Sequence, residues 1–109
     1  MNKNEILPLG TVVLLKGATK KLMISGYYPI DNGSKKMYDY AACMYPIGYL
    51  NAATMIVFNS DAIEKVFFKG YQNEEYNQFI EELDKIDIND LVKQNLKREE
   101  DFTYIDNKK

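Results

Sequence analysis

The chain contains no histidine and no tryptophan, and it has a single cysteine among its 109 residues. Without histidine it lacks the commonest general base and the commonest side-chain ligand for transition metals. One cysteine cannot form a disulfide within the chain, and a catalytic cysteine usually depends on a nearby imidazole. These absences exclude Ser–His and Cys–His catalytic pairs, histidine-based metal centres and a fold stapled by disulfides.

Long hydrophobic runs are missing as well. No apolar segment approaches the roughly 20 residues that a membrane-spanning helix needs, and the opening residues, MNKNEILPLG, lack the apolar stretch of a secretion signal. We therefore expect a cytoplasmic protein that does not enter a membrane. The single thiol, Cys43, lies in the apolar string YAACMY, which predicts a buried and unreactive cysteine.

The residues that are present suit one small folded domain with an acidic end. Hydrophobic residues make up 46% of the chain, which is enough for one core. Residues 1–73 hold eight lysines and five acidic residues, whereas residues 74–109 hold six basic and eleven acidic residues. The net charge of −2 gives no overall attraction to nucleic acid or to an anionic membrane.

Short apolar and β-branched strings, separated by glycine, proline and asparagine, predict five strands in the first 71 residues. The strings are GTVVLLK, KKLMISGYY, MYDYAACMY, MIVFN and KVFFKGY. Gly26, inside the second string, indicates a bulge or a sharp bend, and the DNG at residues 31–33 indicates a turn. The pattern predicts a small antiparallel SH3-like β-barrel or rolled sheet.

The hydrophobic period lengthens after residue 73, where a helix is predicted. Its apolar face would be formed by Tyr76, Phe79, Ile80, Leu83 and Ile86. Asn73 is the expected N-cap of this helix, and Ser60 or Asp61 is the expected cap of a one-turn helix before the fifth strand. The fold class is therefore α+β, a sheet or barrel followed by one or two C-terminal helices.

A narrower apolar stripe follows further along the chain, at Leu91, Val92 and Leu96. It predicts a helix of about ten residues that is marginal on its own. We expect a single domain over residues 1–86, followed by this marginal helix and a frayed acidic tail over residues 87–109.

The string KGATKK at residues 16–21 invites comparison with a phosphate-binding loop. Such a loop requires G-x-x-x-x-G-K-[ST] between a strand and a helix. KGATKK has one glycine, and the following string is strand-like, so no helix N-terminus would face a phosphate. We expect a hairpin turn with Gly17 at positive φ, and neither a cofactor nor a small-molecule ligand.

The charged residues do not form a recognisable reactive set. Glu81, Glu82 and Asp84 suit a solvated helix face, and strand alternation places Asp39 on the solvent side. No catalytic, cofactor-binding or metal-binding residue is predicted, and we expect that the protein is not an enzyme. The lysines near the predicted turns suit either a nucleic-acid surface or soluble sheet edges. The sequence pI of about 5.1 favours the second interpretation.

Nine tyrosines are the most distinctive component of the composition, and several lie near predicted bends. Tyrosine is enriched at protein interfaces, but it also closes the ends of small cores, and both interpretations stay open. The candidate partner-binding residues are Tyr27, Tyr28, Tyr45, Tyr49, Leu91, Val92 and Leu96.

Three segments together resemble a known family. They are LPLGTVVLLKGATKKLMISGYYP at 7–29, YDYAACMYPIGYL at 38–50 and FNSDAIEKVFFKGYQNEEYNQF at 58–79. They are similar to small uncharacterised proteins of Gram-positive bacteria, which share an LPxGxVVLLK opening, a YDYxxCxYPxG centre and an FxGY end. These motifs consist mostly of glycine, proline and strand hydrophobes, so they report the fold more than a site.

The genes of that family lie beside genes for LXG toxins of the type VII secretion system. The resemblance implies a cytosolic chaperone or targeting factor that binds its cognate toxin and supports export. Two alternatives stay open: a small nucleic-acid-binding barrel, and an immunity protein that neutralises a toxin.

Overall fold

The described part of the chain folds as an open antiparallel sheet followed by one α-helix. The computed structural model describes residues 5–83. Its elements are the strands Val12–Leu15 (β1), Leu22–Tyr27 (β2), Tyr40–Met44 (β3), Ile56–Phe58 (β4) and Ile63–Phe68 (β5), and the helix Glu74–Glu82 (α1). The strand order is β4-β3-β2-β1-β5, and the sheet is not closed into a barrel. The predicted α+β class is confirmed, with β4 and β5 as the two edges.

The local turn predictions are confirmed. KGATKK connects β1 to β2 as a hairpin, with Gly17 at a φ of +79° and the amide of Ala18 donating to Leu15 O at 3.1 Å. The DNG turn is closed by Asp31, whose Oδ2 accepts from the backbone amide and the hydroxyl of Ser34. Gly26 lies where the β2–β3 register shifts, as expected of a bulge.

One face of the sheet carries the hydrophobic core. Strand alternation turns every second side chain to this face, and the fully buried members are Val13, Leu22, Ile24, Tyr40, Ala42 and Phe58. Cys43 points to the opposite face but is still only 3% exposed, so its predicted burial is confirmed.

The one-turn helix before β5 is present, as a 3-10 helix over Ser60–Ala62, but its cap differs from the prediction. Asn59 occupies the N-cap position, so the expectation of Ser60 or Asp61 is wrong. The amide of Ser60 donates to Asp39 Oδ2 at 2.8 Å, and the amide of Asp39 donates to Asn59 Oδ1 at 3.1 Å. Asp39 is half-buried, and these two hydrogen bonds connect the start of β3 to this turn.

Helix α1 begins as predicted. Asn73 is its N-cap, and its Oδ1 accepts from the amide of Tyr76 at 2.9 Å. Ile80 is buried and Phe79 packs with its ring centroid 5.8 Å from that of Tyr27. Ile86 and the predicted second helix over residues 87–109 lie outside the described residues.

Three tyrosine hydroxyls hold the backbone of the segment that precedes β1. The amide of Leu7 donates to Tyr40 Oη at 3.0 Å, and the Tyr27 hydroxyl donates to Leu7 O at 2.8 Å. The Tyr76 hydroxyl donates to Ile6 O at 3.0 Å. Because these tyrosines come from β2, β3 and α1, the segment is fixed between the sheet and the helix.

The end of β5 meets the start of β1 at a glycine. The amide of Gly70 donates to Oγ1 of the fully buried Thr11 at 3.0 Å. A Cβ atom added at Gly70 would overlap the carbonyl oxygen of Leu9. Only a residue without a side chain permits this approach of two backbones.

Replacing Gly70 by alanine should therefore destabilise the fold. We expect Gly70→Ala to lower the free energy of unfolding by about 1–3 kcal/mol, the usual cost of overpacking, measured by urea denaturation. Gly33→Ala is the matched control, because its Cβ would meet only Asp31 Oδ2 at an ordinary 3.7 Å. Equal unfolding midpoints for the two variants would contradict the backbone contact.

The buried tyrosines should make stability fall in alkaline solution. Burial raises the pKa of Tyr27, Tyr40 and Tyr76 above the ordinary value of 10.0. Above pH 10 the unfolded chain releases phenolic protons that the folded chain keeps, so the free energy of unfolding decreases, whereas below that pH these groups have no effect.

The measurement is the pH dependence of urea denaturation between pH 8 and pH 11. Tyr27→Phe removes one of these groups, so its stability should fall less steeply above pH 10 than that of the wild type. Tyr71→Phe is the control, because it removes a tyrosine whose side chain is 79% exposed instead of one that packs in the interior. An unchanged slope in Tyr27→Phe would count against the burial argument.

Candidate functional site

The face of the sheet opposite the core carries an apolar groove beside the edge strand β5. Its volume is about 460 Å³, and its lining residues are Gly10, Val12, Lys21, Met23, Tyr45, Phe67 and Phe68. Val12 and Met23 are paired across β1 and β2, so they form adjacent parts of the groove floor. We call this surface the apolar groove.

A bulge between β1 and β5 brings two consecutive aromatic residues to the groove. Val12 pairs with Phe68 and Val13 pairs with Val66, so Phe67 is the extra residue in β5. In a regular strand, consecutive side chains point to opposite faces, whereas a bulge re-aims one of them. Phe67 and Phe68 therefore both line the groove, and they remain 42% and 61% exposed.

Two lysines converge on the ring of Phe67. Lys21 Nζ lies 4.7 Å from the ring centroid and Lys65 Nζ lies 4.8 Å from it, which are cation–π distances. Within the described part of the chain, neither ammonium group contacts a carboxylate. Over residues 5–83, the groove thus combines an apolar floor with two positive charges that meet no carboxylate.

The candidate tyrosines separate into different environments. Tyr45, 47% exposed, lines the groove, whereas Tyr49, 57% exposed, lies outside the lining. Tyr27 belongs to the interior, where its ring packs against Tyr40 and its hydroxyl binds Leu7 O. Tyr28 is half-buried at a φ of +51° at the end of β2. The remaining candidates, Leu91, Val92 and Leu96, lie outside the described residues.

Most of the groove was not predicted from the sequence. Phe67, Phe68, Lys65 and Met23 were assigned only to strands. Lys21 was placed at a predicted turn and the start of the next strand, among lysines that suit either a nucleic-acid surface or soluble sheet edges. The string KVFFKG did carry an indication, since two adjacent aromatics in a strand cannot both face a core. Which face they share depends on the bulge register, and that register is set by residues more than 50 positions away.

The groove can bind another molecule through apolar contacts and through the positive charge of its lysines. Among the residues that the structure describes, its lining contains no carboxylate, thiol or imidazole. Over residues 5–83, no three His, Cys, Asp or Glu side chains are grouped so that they could hold a metal ion. In the same span, no helix has the length and apolar character needed to cross a membrane.

Comparison with known proteins identifies the family. The model of a domain of unknown function, DUF4176, matches residues 6–79, which is more than half of the chain. The chain belongs to the DUF4176 family. No curated protein and no solved structure matches it. The DUF4176 match covers nearly the same span, 7–79, on which the resemblance to an uncharacterised Gram-positive family rests, and it includes every residue of the groove.

Because Cys43 is buried beneath this face of the sheet, we expect its thiol to react slowly with reagents in solution. Cys43 pairs with the groove residue Met23 across β2 and β3, and its Sγ lies 3.8 Å from Met23 O. A thiol reagent such as dithionitrobenzoate should label the native chain slowly and the denatured chain at once, because labelling requires the sheet to open.

A Tyr49→Cys variant supplies an exposed thiol as the control for reagent access. Its second cysteine should react quickly in the native state, while Cys43 stays protected. Labelling of wild-type Cys43 as fast as the thiol at position 49 would contradict its burial.

Proposed function

We propose that this DUF4176 protein is a cytosolic accessory protein that binds an LXG toxin of the type VII secretion system and supports its export as a chaperone or targeting factor. The observation that carries the protein-binding part is the exposed apolar groove. Exposed apolar patches of this kind mark sites of interaction with other macromolecules. The toxin as partner rests on the sequence resemblance described above.

The exposed aromatic side chains of the groove also suit a protein partner. Tyr45, Phe67 and Phe68 line it and are 47%, 42% and 61% exposed. Burying such side chains is favourable because apolar area leaves water. Aromatic residues in particular supply much of the binding energy of protein interfaces.

The other functional classes receive less support. The groove lining offers no pair of groups for acid–base or nucleophilic chemistry, which favours a binding role over an enzymatic one. Residues 5–83 hold seven lysines and nine acidic residues, whereas a nucleic-acid-binding domain usually has an excess of positive charge. An immunity role would use the same kind of surface, so only experiment separates it from a chaperone role.

Co-expression with a candidate cognate, an LXG toxin whose gene neighbours that of this chain, tests the proposal. We expect the full-length chain to co-purify with that toxin and not with an LXG toxin from another locus. Deleting the gene should reduce the amount of the cognate toxin in the culture medium while leaving secretion of the other toxin unchanged. No complex, or unchanged export, would contradict the proposal.

Two further assays separate the alternatives. Protection of cells that express only the toxic domain would identify an immunity protein instead. Salt-dependent binding to oligonucleotides, with no toxin complex, would identify a nucleic-acid-binding protein, because phosphate contacts release counterions.

A further inference from the structure

We infer that the apolar groove binds an acidic segment of a partner protein, whose large apolar side chains pack on Phe67 and Phe68 while its carboxylates meet Lys21 and Lys65. The inference rests on the proposed protein-binding function and specifies the chemistry of the bound segment. It does not require that the partner be a toxin.

The composition of the lining favours apolar protein side chains over a small molecule. Apart from the Lys21 ammonium and the Tyr45 hydroxyl, the lining side chains offer no strong hydrogen-bonding group. Small-molecule sites usually surround their ligand and fix it with several convergent polar groups. An open groove with an apolar floor instead suits side chains that are already held by their own backbone.

The positive charge of the two lysines indicates that the bound segment carries negative charge. Lys21 precedes β2 and Lys65 belongs to β5, two strands that are separated by β1, yet both ammonium groups lie within 5 Å of the Phe67 ring centroid. Since neither meets a carboxylate within residues 5–83, carboxylates of a partner would complement them. Charge pairs at the margin of an apolar contact steer association and fix its register.

The bulge indicates that the groove is a built feature. Bulges commonly occur where a side chain must be re-aimed, and this one adds Phe67 to a surface that already contains Phe68. The outcome is a pair of exposed aromatics on an edge strand, an arrangement that natural sheets usually avoid or cover.

A single-stranded nucleic acid fits these observations less well. Such ligands need a track of positive charge together with aromatic faces that are free to stack on bases. Only one of the seven lining residues is charged, and the Phe67 ring already has two ammonium groups against it. An acidic protein segment uses both features as they are.

Binding of the full-length chain to the same candidate LXG toxin, measured by calorimetry, provides the first test. The groove variants are Lys21→Glu with Lys65→Glu, and Phe68→Ser. Their controls are Lys35→Glu with Lys36→Glu, in the DNG turn, and Ile30→Ser, because Ile30 is 60% exposed and Phe68 is 61% exposed. We expect each groove variant to weaken binding at least about tenfold, as interface hot spots do, and each control to bind within about twofold of the wild type.

Groove variants that bind the toxin like the wild type would overturn the inference and leave the proposed function standing. Circular dichroism melts of each variant test whether it is folded, so that lost binding can be distinguished from lost structure. The affinity of the wild type should also fall with added salt, and less so in the double lysine variant.

A photo-crosslinking arm keeps the inference testable if the toxin does not bind. A benzoylphenylalanine residue replaces Phe68 in cells, and Ile30 in the control. The supporting result is an adduct at position 68 alone, mapped to an acidic and apolar protein segment. A synthetic peptide of that segment should then bind the wild type at least about tenfold more tightly than the double lysine variant.

An adduct at position 68 alone, with an acidic and apolar segment of a protein other than a toxin, would support the inference about the groove. It would contradict the proposal that the partner is a toxin. An adduct with nucleic acid, an adduct with a second copy of this chain, or equal adducts at both positions would overturn the inference.

Discussion

The close approach of Gly70 to the backbone of Leu9 and Thr11 constrains much of the rest of the structure. It joins the end of β5 to the start of β1 through the Gly70–Thr11 hydrogen bond, beside the residues where Phe68 pairs with Val12. From this point the chain turns into α1, whose Tyr76 returns to Ile6 O. The strand edge, the helix and the segment before β1 are thus tied together at one place.

The two faces of the sheet differ in character. The core face buries a cluster of apolar residues, and among the described residues no buried side-chain polar atom lacks a hydrogen-bond partner. On the other face, the bulge exposes two phenylalanines next to two lysines that have no carboxylate partner in that part of the chain. In the described interior, buried polar side chains therefore have their hydrogen-bond partners within the chain. The groove instead exposes apolar area and, over residues 5–83, lysine charges that no carboxylate meets.

The sequence predicted the features that depend on near neighbours. Gly17, Asp31 and Asn73 act within four residues of their own positions, so turn and cap chemistry identifies them. The spacing of apolar residues likewise predicted the five strands and, through its longer period after residue 73, the helix. Such local rules do not decide whether the sheet closes, because closure depends on how β4 and β5 lie relative to each other.

The groove depends on contacts between residues that are distant in sequence, and so do the hydrogen bonds from tyrosine hydroxyls to the segment before β1. This distance explains why neither feature was predicted. Tyr40 and Tyr76 bind backbone atoms that are 33 and 70 positions away. Phe67 reaches the groove only because the register shifts opposite Val12 and Val13. Tyr45 was selected as a candidate because it lies near a bend, but nothing in its neighbourhood indicated that it would meet residues of β1 and β5.

Binding through the apolar groove can be observed by hydrogen–deuterium exchange of the full-length chain, with and without the LXG toxin that we propose as its partner. Binding at the groove should slow exchange in the peptides that contain Val12, Met23 and Phe67–Phe68, and leave the DNG turn at 31–36 unchanged. Slower exchange at that turn, with no slowing in the groove peptides, would mean that the partner binds elsewhere.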